Sequence, residues 1–199
     1  MRPRYVVRVT AQPTEPKAAD RPPARRTAPE PGGSPPHACL APAVRAGRVE
    51  DAPEVVRLRR VMFAAMSGHD TPGPWEAQAV RLLREQLAGR GALTGVFVVD
   101  AEDGALAACA VGTVEQRLPA PASPAGRFGF VFNVCTDPAH RGRGHARAVT
   151  EALLDWFAGH GVTRVDLHAT PQAEHLYRDL GFAEHSTALS LDVSGRARR

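Results

Sequence analysis

The chain has 199 residues, of which 43% are hydrophobic, which is enough for one domain with a single core but short for two. Its formal net charge of +4 arises in residues 1–42, which hold seven basic and three acidic side chains, whereas residues 43–199 balance at 18 of each. Because the excess basic charge lies outside the expected domain, it argues against a nucleic-acid footprint, and we expect no nucleic acid among the partners.

The three cysteines, Cys39, Cys109 and Cys135, are widely spaced and form no C-x-x-C pair. This pattern indicates neither a disulfide framework nor a structural zinc site, and His140 and His145 are too loosely placed for a metal, so we expect no metal. The chain lacks an apolar run of the roughly 18 residues that a membrane span needs, and its N-terminus lacks a continuous apolar signal segment. We therefore expect a cytoplasmic protein with no membrane partner.

Residues 1–42 contain 10 of the 18 prolines and show almost no helical or strand period. Such a segment buries too little apolar surface to offset the entropy of ordering it, so we predict a disordered N-terminal extension. A polyproline ligand, a basic tether and an upstream start-site extension remain open for it. We predict one domain over residues 43–193 and a basic tail over residues 194–199.

Within the predicted domain, strands alternate apolar residues at a period of two, and helices repeat them at steps of three and four. The predicted strands lie at 44–49, 94–101, 105–117, 128–136, 162–169 and, as a final pair, within 182–193. The predicted helices lie at 52–66, 75–87, 146–157 and 172–180, and Asp51 is the expected N-cap of the first. The order β-α-α-β-β-β-α-β-α-β-β predicts an α/β fold in which helices cover both faces of a mixed, mostly antiparallel sheet of about six to seven strands.

A glycine-rich turn, His140-Arg141-Gly142-Arg143-Gly144-His145-Ala146, lies between an apolar strand and a helix. The glycines let the backbone approach a bound group, and the amides of a helix start favour phosphate oxygens. The turn matches neither the phosphate-loop pattern G-x-x-x-x-G-K-S/T nor the dinucleotide pattern G-x-G-x-x-G. The turn therefore gives no support for a nucleotide triphosphatase or for a Rossmann dehydrogenase.

Two motifs accompany this turn in a fixed order. Asn133-Val134-Cys135-Thr136-Asp137-Pro138 precedes it, and Leu176-Tyr177-Arg178-Asp179-Leu180-Gly181-Phe182 follows it. Over residues 43–193 the chain resembles the GNAT N-acetyltransferase superfamily, whose acetyl-CoA motif Gln/Arg-x-x-Gly-x-Gly/Ala follows a strand and whose later helix carries a Tyr shortly before Gly-Phe.

This resemblance implies a GNAT-like fold and an acetyl-CoA-dependent N-acetyltransferase that uses acetyl-CoA as its cosubstrate. The acetyl group would move directly, in a ternary complex, to a primary amine of a small molecule or peptide. The alternative is a catalytically silent acyl-CoA-binding regulatory module, and a homodimer stays open.

The resemblance also assigns site residues. The coenzyme A pyrophosphate would contact backbone amides of Arg141, Gly142, Arg143, Gly144, His145 and Ala146. The pantetheine arm would contact the main chain of Val134, Cys135 and Thr136, with Thr170 where many relatives have an Asn. Tyr177 matches the residue that protonates the departing thiolate, although its ring could also serve packing alone.

Acyl transfer from a thioester to an amine needs a neutral nucleophile, donors for the developing oxyanion and a proton for the sulfur. A free amide at Val134 or Cys135 could serve the oxyanion. Spacing alone marks no general base: the candidates are Glu115, Asp137, His168 and Glu184. We rank Glu115 first as a catalytic residue, because it lies late on a strand beside loop 118–126, which we expect to form the acceptor pocket together with loop 67–74 and the final strands. The few charges in these loops do not suggest a polyanionic acceptor.

Overall fold

The computed structural model describes residues 42–89, 93–185 and 189–193. The predicted N-terminal extension, except Pro42, and the predicted basic tail lie outside the described residues. The strands are β1 (Val44–Ala46), β2 (Thr94–Asp100), β3 (Leu106–Gln116), β4 (Arg127–Thr136) and β5 (Val165–Leu167). The helices are α1 (Ala52–Ser67), α2 (Trp75–Ala88), α3 (His145–Gly159) and α4 (Glu174–Asp179), with 3₁₀ turns at Val49–Asp51 and Pro138–His140.

The strands form one sheet in the order β1-β2-β3-β4-β5. Strands β1 to β4 pair antiparallel, and β5 pairs parallel with β4. The mixed, mostly antiparallel sheet is thus confirmed, as is the predicted order of elements as far as α4. None of the helices in the described part of the chain is long and apolar enough to cross a membrane.

The described residues contain five strands, not the expected six to seven. No strand is formed at 182–185 or at 189–193, where the sequence predicts a final pair. Phe182 closes α4 instead, because its N–H donates to the Tyr177 carbonyl at 2.9 Å. Farther on, the side chains of Leu189 and Leu191 are exposed rather than packed on the sheet.

Helices cover both faces of the sheet, as expected. One cluster joins α1 and α2 to alternate strand residues, including Leu58, Leu83 and Val98. The other joins α3 to the intervening residues, including Val99 and Leu153. Because both faces are buried, the central strands are apolar at successive positions rather than alternating with polar residues.

Two strands are shorter than their sequence patterns predict. β1 ends at Ala46 because the chain turns into the 3₁₀ segment at Val49. Asp51 is the N-cap residue of α1, as expected, but its carboxylate accepts the Arg48 N–H at 2.6 Å and makes no capping hydrogen bond to the helix. β5 covers only Val165–Leu167 of the predicted 162–169. Its partner residues on β4 end at Val131, one residue before an irregularity in that strand.

That irregularity is a β-bulge at Phe132. In the pairing with β3, Val111 faces Asn133, whereas the next residue, Gly112, faces Val131, so Phe132 is an extra residue on β4. An extra residue reverses the alternation of side chains along the strand. Val131 therefore packs with α3, whereas the Asn133 side chain meets Arg59 of α1.

Candidate active site

A gap opens between β4 and β5 beyond the bulge. The described pairing with β5 stops at Val131, and the N–H of Asp137 donates to the Ala107 carbonyl on β3 at 2.8 Å. Backbone groups of successive strand residues point to opposite sides, so those of Val134 and Thr136 point away from β3 and into the gap. The Cys135 amide points to β3. Of the two amides expected to stabilise an oxyanion, the backbone geometry therefore favours Val134.

The glycine turn follows this gap directly. Asp137 caps the 3₁₀ turn by accepting the Ala139 N–H at 3.0 Å, and Gly142 and Gly144 then adopt φ angles of 75° and 77°. Only glycine adopts such angles without strain, which explains both positions. Gly144 is the N-cap of α3, and the first turn of α3 has neither a side-chain cap nor an acidic residue. Its amides and the helix dipole therefore remain available to an anion.

Two polar atoms beside the turn are buried and have no partner among the described residues. They are the Thr136 Oγ1 and the His145 Nδ1. Burial and the neighbouring charges of His140 and Arg143 lower the pKa of His145. Buried polar groups are nearly always hydrogen-bonded, so a pair of such atoms at one turn fits a ligand that carries polar atoms, such as acetyl-CoA.

The arginines of this region differ in their surroundings. The Arg147 guanidinium lies 3.2 Å from an Asp179 oxygen and 3.7 Å from a Glu151 oxygen. Its charge therefore links α3 to the end of α4. Arg141 is exposed, with its Nε 3.5 Å from the Thr136 carbonyl, and Arg143 is exposed.

Tyr177 is held in place by the way α4 ends. Gly181 has a φ of 92°, its N–H donates to the Arg178 carbonyl, and the Phe182 N–H donates to the Tyr177 carbonyl. This is a Schellman motif, in which the residue after the left-handed glycine packs back on the helix. The Phe182 ring meets the Tyr177 ring edge to face at 5.8 Å. The Tyr-x-x-x-Gly-Phe pattern is therefore a helix stop that fixes the phenol.

Glu115 and Tyr177 line the same pocket, which has a volume of about 570 Å³ and also includes Phe130 and His168. The Tyr177 ring is buried, and this burial raises the pKa of its hydroxyl, which keeps it protonated at neutral pH. Sequence reasoning thus selects two residues that the fold brings together from β3 and α4. Thr170 lies between β5 and α4, outside the pocket lining, and its carbonyl accepts the Ala173 N–H at 2.9 Å.

The four candidate bases have different partners. A Glu115 oxygen lies 2.6 Å from the Arg117 guanidinium, and Glu184 pairs with Arg178 at 3.1 Å. The His168 ring packs edge to face on Phe130 at 5.6 Å. Each of these three residues lines the pocket.

Asp137, the fourth candidate, does not line this pocket. Arg57 of α1 binds it at 2.7 Å and holds the pKa of its carboxyl below the usual range. Arg57 also binds Glu54 at 2.9 Å and donates to the Leu106 carbonyl at 3.1 Å. The Arg57 guanidinium therefore anchors Asp137, at the start of the glycine turn, to α1. Sequence reasoning missed this network: the Glu54–Arg57 spacing is visible in the sequence, but the contact with Asp137 is not.

Cys135 is not an activated thiol. Burial raises the pKa of its thiol to about 11, so the thiolate form is scarce at neutral pH. Cys109 is fully buried and its pKa is also raised. Among the described residues, no group of three or more His, Cys, Asp or Glu side chains is arranged to hold a metal ion.

Together, the mixed sheet, the β4 bulge, the end of the β4–β5 pairing and the helix start without a side-chain cap define an α/β protein with a candidate anion site after its fourth strand. Comparison with known proteins specifies this class further. The family model described as Acetyltransferase (GNAT) family matches residues 60–182. The glucosamine 6-phosphate N-acetyltransferase 1 of Oryza sativa subsp. japonica is 34% identical over 139 residues, which is 69% of this chain and 82% of the relative.

Solved structures agree with this result. A predicted acetyltransferase from Clostridium acetobutylicum, crystallised with acetyl-CoA, has a TM-score of 0.67 at 20% identity and covers 76% of this chain and 96% of its own. A GCN5-related N-acetyltransferase from Ralstonia eutropha JMP134 has a TM-score of 0.63 at 26% identity, and the match covers 77% of this chain and 99% of the other chain. The chain belongs to the GNAT acetyltransferase family.

Proposed function

We propose that this protein transfers the acetyl group of acetyl-CoA to a primary amine of a small molecule or peptide, directly and within a ternary complex. Three observations support the proposal: the amides at the start of α3 have no side-chain cap, the buried Thr136 hydroxyl beyond the end of the β4–β5 pairing has no partner among the described residues, and Glu115 and Tyr177 line one pocket. We propose the cytoplasm as its location.

Acetyl-CoA supplies an acetyl thioester. The amides of residues 141–146 hold its pyrophosphate, and the main chain at Val134 and Thr136 orients its arm. The Val134 N–H stabilises negative charge on the acetyl oxygen. Glu115 accepts the proton of the amine, directly or through water, as a C–N bond forms and the C–S bond breaks, and the Tyr177 hydroxyl protonates the departing sulfur.

The test is an amine panel in which release of coenzyme A thiol is measured, together with calorimetry of acetyl-CoA binding. The panel includes glucosamine 6-phosphate, because the rice relative is named for that substrate, and also amino acids, polyamines and peptides. We expect acetyl-CoA binding and thiol release with at least one amine. Absence of binding by folded protein would contradict the whole proposal, and binding without release from any amine would favour a silent acyl-CoA-binding module.

A further inference from the structure

Arg59 has a different environment from the other arginines of α1. Arg57 and Arg60 each bind two carboxylates. Arg59 is half-buried, and among the described residues no carboxylate lies within ion-pairing distance of it. A half-buried cation without a counter-ion is unfavourable in free energy, so its position needs an explanation.

The protein contacts of Arg59 use little of its hydrogen-bonding capacity. One nitrogen, Nη1, donates to the Asn133 Oδ1 at 3.3 Å, and the Cζ lies 4.6 Å from the centre of the Phe63 ring and 5.5 Å from that of Phe132. A guanidinium has five N–H donors in a planar fork. Burial lowers the pKa of Arg59, which is the expected result of desolvation without a paired anion.

The guanidinium lies at the β4 bulge. Phe132 is the extra residue of the bulge, and its side chain is 38% exposed. Asn133 is almost fully buried, and its Nδ2 donates to the Cys109 Sγ at 3.4 Å, which directs its oxygen to Arg59. Phe130, two residues before the bulge, lines the pocket that contains Glu115 and Tyr177. Two residues along a strand span about 7 Å, so a small molecule can reach from that pocket to Arg59.

The expected acceptor loop 67–74 is anchored beside this guanidinium. Trp75, the first residue of α2, packs edge to face on Phe63 at 5.7 Å, and its indole N–H donates to the Thr71 carbonyl at 3.0 Å. The acidic groups of this region, Asp70 and Glu76, bind Arg60 at 3.0 and 3.2 Å. They therefore do not neutralise Arg59.

We propose that Arg59 binds an anionic group of the acceptor, a carboxylate or a phosphate monoester, with the carbon skeleton of the acceptor beside Phe63 and Phe132. This inference rests on the proposed function for the presence of an amine in the same molecule. The planar fork of donors matches both oxyanions in two-point geometry. The acceptor class is then an amine with one nearby anionic group, such as an amino acid or a phosphorylated amino sugar, rather than a polyamine.

Calorimetry in the presence of coenzyme A tests this with two matched pairs of probes: phenylalanine against 2-phenylethylamine, and glucosamine 6-phosphate against glucosamine. In at least one pair, the wild-type protein is expected to bind the anionic member at least tenfold more tightly. Arg59→Gln should abolish that difference while coenzyme A affinity is unchanged, and Arg59→Lys should keep part of it. Arg84→Gln, at an exposed position of α2, is the matched control and should bind like the wild type.

Equal binding within both pairs, including no binding of any probe, would overturn the inference, as would a preference that survives in Arg59→Gln. If Arg59→Gln does not fold, as judged by circular dichroism, the wild-type comparison and Arg59→Lys decide the question. Thiol release is not part of this measurement. If the wild type shows the anion preference but the separate amine panel shows no thiol release, the proposed function is contradicted and the anion site is still supported.

Discussion

At the scale of single residues, the site depends on side chains whose neighbours set their chemistry. Burial raises the pKa of Tyr177, so the phenol keeps its proton and suits the role of an acid. Arg57 lowers the pKa of Asp137, so this carboxylate is a weak base, and its salt bridge with Arg57 attaches the glycine turn to α1. Glu115 and Asp137, both candidate bases from the sequence, thus have different environments in the fold: Glu115 lines the pocket with Tyr177, whereas Asp137 does not.

Tyr177→Phe is expected to lower turnover about 10²-fold or more, the usual contribution of a positioned acid, while acetyl-CoA affinity changes little. The affinity is retained because the phenylalanine ring can still pack on Phe182. In the wild type, the acid form should persist to a higher pH than in an ordinary tyrosine, because burial raises the pKa of the hydroxyl. Steady-state thiol release and calorimetry measure both quantities. Equal turnover of the two proteins would remove the acid role.

At the scale of secondary-structure elements, salt bridges stabilise the short strand β1. β1 has three residues at the edge of the sheet, and its Arg45 binds Asp51 of the 3₁₀ turn and Asp100 at the end of β2, each at 2.6 Å. Hydrogen bonds from this guanidinium lower the pKa of both carboxyls. The tie holds β1, the start of α1 and β2 together where few backbone hydrogen bonds are available.

Arg45→Met should reduce the free energy of unfolding by about 1 kcal/mol at pH 7, a modest value because Asp100 is largely exposed. A carboxyl whose pKa is lowered by folding stabilises the protein above its unfolded pKa of about 3.9, and this stabilisation is lost as pH falls through the lower folded pKa. The difference between variant and wild type should therefore shrink as the pH falls below about 3.9. Urea unfolding at pH 7, 4 and 3 measures it. A difference that stays constant with pH would exclude this ion-pair tie as the cause.

At the scale of the whole molecule, the proposed ligand site uses elements that are distant in sequence. The β4 bulge lies where the pairing with β5 ends, the turn before α3 follows β4, and α1 anchors that turn through Arg57 and Asp137. A ligand that fills the gap binds only the folded chain, so it should stabilise the protein as a unit.

Acetyl-CoA at 100 times its dissociation constant is expected to add about 2.7 kcal/mol to the free energy of unfolding, which corresponds to about 5–10 °C in melting temperature. Gly144→Val should lose this shift, since a branched side chain is strained at a φ of 77° and disturbs the amides of the turn. Gly104→Val imposes similar strain in the β2–β3 turn, where φ is 83°, and should keep it. Scanning calorimetry compares the three proteins, and an unchanged shift in Gly144→Val would refute the assignment of the turn.

The sequence by itself determined the features that arise from contacts a few residues apart. Apolar periods predicted the order of elements through α4, and glycines marked the turn at 142–144 and the stop at Gly181, because a positive φ is a local requirement. The prediction of a final pair of strands was wrong within the described residues, because the Phe182 N–H donates to the Tyr177 carbonyl at the end of α4 instead of to a neighbouring strand.

Only the tertiary structure decided which side chains share a site. The bulge at Phe132 arises in the pairing of β4 with β3, and no local pattern marks it. Arg57 and Asp137 are 80 residues apart and Arg59 and Asn133 are 74 apart, so no spacing rule distinguishes the paired arginine from the unpaired one. Local backbone preferences specify turns and helices, whereas the partner of a buried charge depends on which distant surfaces the core brings into contact.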